Sequence, residues 1–153
     1  MSRLSDPSAT RAITQQILQL EEYIATTELD RKLIHLVKLR ASQINGCAYC
    51  MAMHVHEALQ DGDRIDRLSV ISAWRETSWF SERECAALAW TESVTELNHG
   101  GVPDDVFETA RDQFGEKGLA DLTLLIITIN AWNRIAIPFH SEPDAFTFPG
   151  SAG

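Results

Sequence analysis

A chain of 153 residues, 44% hydrophobic and 23% charged, is long enough to bury one core and too apolar to be disordered. Thirteen basic residues against 22 acidic ones leave a net charge of −9, with no basic run to neutralise phosphates, which argues against nucleic-acid and anionic-membrane surfaces. No apolar run approaches the ~18 residues of a spanning helix, and the opening MSRLSDPSAT has no apolar signal core, so a cytoplasmic protein without a membrane partner is expected.

Residues 1–9 are polar, contain Pro7 and read as a loose lead-in. Ile13, Ile17, Leu20 and Ile24 recur at helical spacing and predict an amphipathic helix over residues 12–25. A second helix is predicted over residues 30–44, where Leu33, Ile34, Leu36, Val37 and Ile44 sit beside a Lys/Arg face. Asn45-Gly46 is a stop signal, and residues 48–60 contain no Gly or Pro and read as a third helix. After Asp61-Gly62-Asp63, a helix is predicted over residues 65–76. Ser81 and Glu84 have capping-box spacing and open a helix over residues 82–97, which Asn98-His99-Gly100-Gly101 stops. Pro103 suits the first turn of a helix over residues 104–114, and residues 115–118 form a short break. Residues 119–137 are the most apolar stretch and predict a central helix that Pro138 ends. The tail, 139–153, has three phenylalanines and two prolines and is expected to be extended, lying on this subunit or a neighbour. No stretch alternates with period two and no repeat recurs. The expectation is a single all-α domain over residues 1–153, a bundle of about seven helices.

The chemistry concentrates in the third helix. Cys47, Cys50 and His54 form C-x-x-C-x-x-x-H. At about 100° per residue these three lie within roughly 60° of one another, while His56 falls on the opposite side. A helix N-terminus and a nearby imidazole both favour a thiolate. Two readings stay open. A redox pair needs a nucleophilic thiolate, a resolving thiol and a base, and Cys50 and His54 are i,i+4 neighbours. A zinc site needs four ligands; Cys47, Cys50 and His54 would supply three, and His35 on the preceding helix could be recruited. Cys85 sits among Ala86, Ala87 and Leu88 and reads as a buried, inert thiol. His99 and His140 read as solvated loop residues, and the four tryptophans as core or interface aromatics. Asn130 to Arg134 interrupt an apolar helix with polar groups, which implies a buried hydrogen-bond network or a subunit contact.

The run LVKLRASQINGCAYCMAMH at 36–54 resembles the core motif of the AhpD-like alkylhydroperoxidases, in the carboxymuconolactone decarboxylase superfamily. AWRETSWFSERECAALAWTE at 73–92, VPDDVF at 102–107 and LTLLIITINAWNRIAI at 122–137 resemble the same group, so the likeness covers nearly the whole chain. The resemblance implies an all-helical bundle assembled as trimers or hexamers. It implies peroxidase or disulfide-reductase chemistry on hydroperoxides, with no metal or organic cofactor and a thiol or dithiol protein as reductant. In that picture Cys50 is the peroxidatic thiol, His54 helps to deprotonate it, and Cys47 resolves it and meets the reductant. The family commonly carries a Glu twelve residues before the first cysteine, in a proton relay; here that position is His35. A His can also pass a proton near neutral pH, so the relay is expected to survive in altered form. Ser42 would share the His35 face and is read as a backbone cap. Three alternatives accompany this expectation: a lyase like the decarboxylase that named the superfamily, a non-enzymatic redox-sensing oligomer, and the zinc site.

Overall fold

Helix ends in this chain are set by a few side chains and glycines that satisfy free backbone groups. In a computed structural model that describes residues 2–6 and 8–143, these define α1 (Arg11–Ile24), α2 (Arg31–Asn45), α3 (Ala48–Gln60), α4 (Ile65–Ser69), α5 (Glu82–Thr95) and α6 (Asp104–Ala136). Short 3-10 segments run over Ile71–Glu76 and Leu97–His99. Gly115 leaves helical geometry (φ 67°, ψ 171°) and bends α6 into two rods, so the α-helical rods number seven, with no strand among the described residues. The all-α bundle expected from the sequence is therefore the observed architecture.

Asp30 caps α2, its carboxylate accepting from the Leu33 amide at 3.2 Å. The Ser81–Glu84 capping box forms as its spacing predicts, at 3.2 and 2.8 Å. Glu84 also accepts from Arg67, whose guanidinium bridges to Asp63, so the cap of α5 is tied to α4. Gly46 ends α2 in the left-handed region at φ 72°, and the Cys47 amide reaches back to the Ser42 carbonyl at 2.9 Å. A Cβ at that φ is strained, which is why glycine closes this turn.

Two predicted elements differ. The helix expected over 65–76 ends at Ser69 and tightens into a 3-10 turn. Leu68, Ile71 and Trp74 are buried at intervals of three, and a three-residue turn keeps such positions on one edge where an α-helix would rotate them away. The break expected over 115–118 narrows to Gly115 alone, and Gly118 lies within the helix.

α2 packs on α3, α5 and α6, and α6 packs in turn on α5 and α1. One apolar cluster joins α1, α2, α5 and α6 through Ile24, Val37, Leu122 and Ile126. A second joins α2 to the α3–α5 side through Leu36, Leu39, Ile71 and Leu88. A third, small cluster gathers Ala41, Cys47, Cys50, Ile129 and Ala136, with Tyr49 and Trp132 against it. Part of the basic face of α2 is drawn inward: Lys38 is buried and paired with Glu21 at 2.7 Å, and Arg40 is paired with Glu92 at 3.0 Å, while Arg31 and Lys32 stay exposed. Ser2 and Arg3 bond to the Phe139 and Pro138 carbonyls beyond α6. Of the expected extended tail, residues 144–153 lie outside the described residues. No helix among the described residues is long and apolar enough to cross a membrane.

The polar run 130–134 resolves into a network between α2 and α6. Asn45 Nδ2 donates to Asn130 Oδ1 and Asn133 Oδ1, each at 2.9 Å. Asn133 Nδ2 donates to Ser42 Oγ at 3.1 Å, and Ser42 passes its own hydrogen to the Lys38 carbonyl. Asn130 also donates to Thr95, which brings in α5. Asn133→Ala would strand Asn45 and Ser42 groups in a buried place, and unfolding in urea should show a loss of about 2–3 kcal/mol.

Candidate active site

Because α2 stops on Gly46 and α3 starts on Ala48, Cys47 becomes the N-cap of α3. Its Sγ accepts from the Cys50 amide at 3.3 Å. Cys47 and Cys50 are joined in a disulfide with Cα atoms 5.4 Å apart. Both are sealed, at 1% and 2% exposure, by Ala41 of α2 and Ile129 and Ala136 of α6. A cavity of about 320 Å³ lies over the start of α3, between Gly46, Cys47 and Tyr49 on one side and Ala136, Ile137 and His140 on the other. Cys47 lines it; Cys50 does not.

His54 lies one helical turn beyond Cys50 and is 2% exposed. Its Nδ1 meets Glu57 Oε2 at 2.9 Å. Nε2 has no hydrogen-bond partner among the described residues. Burial is the main reason the His54 imidazole is held below its ordinary pKa; the Glu57 hydrogen bond opposes this, and the Lys38 charge adds to it. His54 is therefore a neutral imidazole near neutral pH. A carboxylate accepts from Nδ1–H, which leaves the Nε2 lone pair free to take a proton.

His35 reaches this cluster from α2 but meets the carboxylates of α3 and its end. Its Nε2 lies 2.6 Å from Asp61 Oδ2, and its Nδ1 lies 3.6 Å from Glu57 Oε2. Arg31 pairs with the same Asp61 oxygen at 3.2 Å. The hydrogen bond from His35 chiefly lowers the Asp61 pKa, with Arg31 assisting. Burial raises Glu57, but the His54 hydrogen bond and the charges of His54, His35 and Lys38 outweigh it, and the net shift is downward. Ligand-type atoms of His35, His54 and Glu57 lie within 4.8 Å of one another, so a cation would find its donors there and not at the bonded cysteines. Ser42 is buried and serves the network with Asn133. His56 is half-buried, and His99 and His140 are exposed. Cys85 is half-buried, its thiol pushed up by burial first and by Glu84 second.

Glu57, Asp61 and Lys38 do not stand out in the sequence as site residues. Glu57 had a signal, being three residues after His54 on the same helix face. Asp61 carries only a helix-end signal in the sequence. Lys38 is buried because Glu21 of another helix receives it, and Glu21 in turn accepts from Trp132 Nε1 at 2.9 Å beside the cysteines.

A buried His that resists protonation links stability to pH. The unfolded chain gains a proton on His54 below about pH 6.5, whereas the folded chain does so only at lower pH, so the unfolded state binds more protons there and stability falls as pH falls. The depressed carboxylates Glu57, Asp61, Asp63 and Glu92 add their own losses only on further acidification, toward their ordinary carboxylate range. Urea midpoints between pH 7.5 and 5.5 should decline for the wild type and flatten for His54→Gln.

Residues 11–93 match the carboxymuconolactone decarboxylase family. The chain is 36% identical over 121 residues to the uncharacterised Bacillus subtilis (strain 168) protein YdfG, covering 79% of this chain and 82% of that one. A crystal structure of an Agrobacterium tumefaciens protein of unknown function, ATU0492, suggested to be the antioxidant defence protein AhpD, superposes with a TM-score of 0.90. It is 39% identical and covers 95% of this chain and 100% of that one. The debrominase Bmp8 shares the fold at a TM-score of 0.78 with 18% identity, over 89% of this chain and 73% of its own. The chain belongs to the carboxymuconolactone decarboxylase family, as an AhpD-like member of that superfamily.

Proposed function

We propose that this protein is a cysteine-based alkylhydroperoxidase of antioxidant defence, cycling between a dithiol and the Cys47–Cys50 disulfide. The observation that carries the reading is the buried disulfide at the head of α3 with a neutral imidazole one turn along. The antioxidant role suggested for the 39% identical Agrobacterium protein points the same way.

In the reduced protein His54 Nε2 takes the Cys50 proton. The thiolate attacks one peroxide oxygen of ROOH; an S–O bond forms, the O–O bond breaks, and the alkoxide leaves as ROH after taking a proton. Cys50 is then a sulfenic acid. The Cys47 sulfur displaces its hydroxyl, giving the disulfide and water. A dithiol reductant attacks Cys47, the cysteine whose residue lines the cavity, and leaves as its own disulfide with both thiols restored. No step calls for a metal or organic cofactor. The working form is a cytoplasmic homo-oligomer, a trimer or a hexamer.

The test is consumption of an organic hydroperoxide, with a dithiol present, by wild type, Cys47→Ser and Cys50→Ser. Turnover should vanish in both variants, and one peroxide addition without reductant should remove two thiols per wild-type chain. A sulfenic acid trapped in Cys47→Ser and absent from Cys50→Ser fixes the order. Thiol loss without turnover would replace the enzyme with a redox sensor. Turnover that survives loss of both cysteines would point to lyase-type chemistry.

A further inference from the structure

Two imidazoles from different helices converge on one carboxylate. Glu57 Oε2 is 2.9 Å from His54 Nδ1 and 3.6 Å from His35 Nδ1, and ligand-type atoms of the three residues lie within 4.8 Å of one another. The His35 side chain is only 10% exposed, and its Nδ1 has no hydrogen-bond partner among the described residues. A buried nitrogen left unmet is costly unless something else meets it.

We propose that His35, His54 and Glu57 form a binding site for a divalent zinc ion, with Asp61 as the residue that orients His35. The site does not draw on Cys47 and Cys50, which are bonded to each other and offer no thiolate.

The donor chemistry suits zinc. Two imidazole nitrogens and one carboxylate oxygen are the donors of an open zinc site, which keeps its fourth place for water. Donors set tetrahedrally at about 2.0–2.1 Å from zinc stand about 3.3 Å from one another. The two edges at Glu57, 2.9 and 3.6 Å, straddle that separation. An imidazole that binds metal through one nitrogen donates the other to a carboxylate or carbonyl, which fixes the ring. His35 already makes that contact: its Nε2 meets Asp61 Oδ2 at 2.6 Å, and its Nδ1 is left facing Glu57. The nearby cations are already engaged. Lys38 is held by Glu21 at 2.7 Å and Arg31 by Asp61 at 3.2 Å, so three carboxylates of Glu21, Glu57 and Asp61 stand against two fixed positive charges. Entry is open at the rim, where the Glu57 side chain is 40% exposed. A cavity of about 430 Å³ lined by Glu21, Arg31, Ile34 and His35 borders the site on the side of α1 and α2.

Binding has a consequence for Cys50 that rests on the proposed function. Without zinc, the Glu57 carboxylate accepts from His54 Nδ1–H, and Nε2 is bare. Zinc on Nδ1 displaces that proton to water, and Nε2 takes one from water, so the ring stays neutral. A protonated Nε2 has no lone pair for the Cys50 thiol. Zinc therefore takes away the base without touching either sulfur, and the cation acts as an inhibitor of the cycle and has no part in its steps.

The full chain in its disulfide form, stripped of metal, is titrated with zinc in competition with a chromophoric chelator. One zinc per chain is expected. Asp61→Asn should weaken binding about 10- to 100-fold, and His35→Gln and Glu57→Gln should each weaken it further. Nitrogen-15 NMR of the histidine-labelled wild type should find the His54 proton on Nδ1 before zinc and on Nε2 after it. No uptake by the wild type would overturn the site, and so would uptake unchanged in both His35→Gln and Glu57→Gln, which marks an adventitious ion only. A His54 proton that stays on Nδ1 in saturating zinc would also overturn it, and this is read on the wild type without depending on any variant folding. The titration uses no peroxide and no free thiol of the pair. Zinc uptake in a chain without turnover would sink only the peroxidase, and turnover in a chain that takes up no zinc would sink only the zinc site.

Discussion

The turn at Gly46 is the constraint on which the site depends. Its positive φ reverses the chain between α2 and α3 within one residue and makes Cys47 the cap of α3. Two helices that run back along each other bring together residues equally distant from the turn. His35 is eleven residues before Gly46 and Glu57 is eleven after it. Their approach to 3.6 Å is the geometric consequence of that hairpin. A residue with a Cβ at Gly46 would disturb the cysteine cap and the His35–Glu57 register together.

The hairpin alone would leave the cysteines open on one side. α6 closes that side with Ile129 and Ala136, and the asparagine network fastens α6 at the level of Ser42 and Asn45, just before the turn. The polar groups on an otherwise apolar helix thus act as a register mark. Apolar contacts alone tolerate a slide of α6 along α2, whereas amides left without partners in the interior do not. Lys38 and Glu21 extend this arrangement: Glu21 also accepts from the Trp132 indole, whose ring lies against the disulfide cluster.

Spacing on a single helix was legible in the sequence. The C-x-x-C-x-x-x-H pattern predicts Cys47, Cys50 and His54 on one face; Cys47 caps α3, Cys50 lies in its first turn and His54 at its middle. The capping box at Ser81 and the stop at Gly46 were readable for the same reason, since caps act over three or four residues. What depends on a second helix was not. Lys38 reads as part of a Lys/Arg face until Glu21 is seen opposite it. His35 stood out through the family resemblance, yet its position against Asp61 and Glu57 depends on how α2 and α3 cross. The helix over 65–76 failed for a related reason: its apolar residues recur every three positions, and packing against α2 goes with the tighter turn.

The same burial imposes opposite demands on the chemistry. It keeps His54 unprotonated near neutral pH, and in the proposed cycle it would shield a thiolate and a sulfenic acid from water. It also makes His54 a poor resting place for the proton it accepts, and it raises the energy of an isolated thiolate. A single base in this pocket would therefore take the proton reluctantly. Adding a carboxylate at Nδ1 restores basicity to Nε2 without exposing the ring, as the orienting acid does in a triad. Glu57 can play that part because it lies at the rim, where water limits the penalty of its own charge. The arrangement thus separates the functions by depth: sulfur and base inside, anion at the edge, and the helix hairpin holding the distance between them.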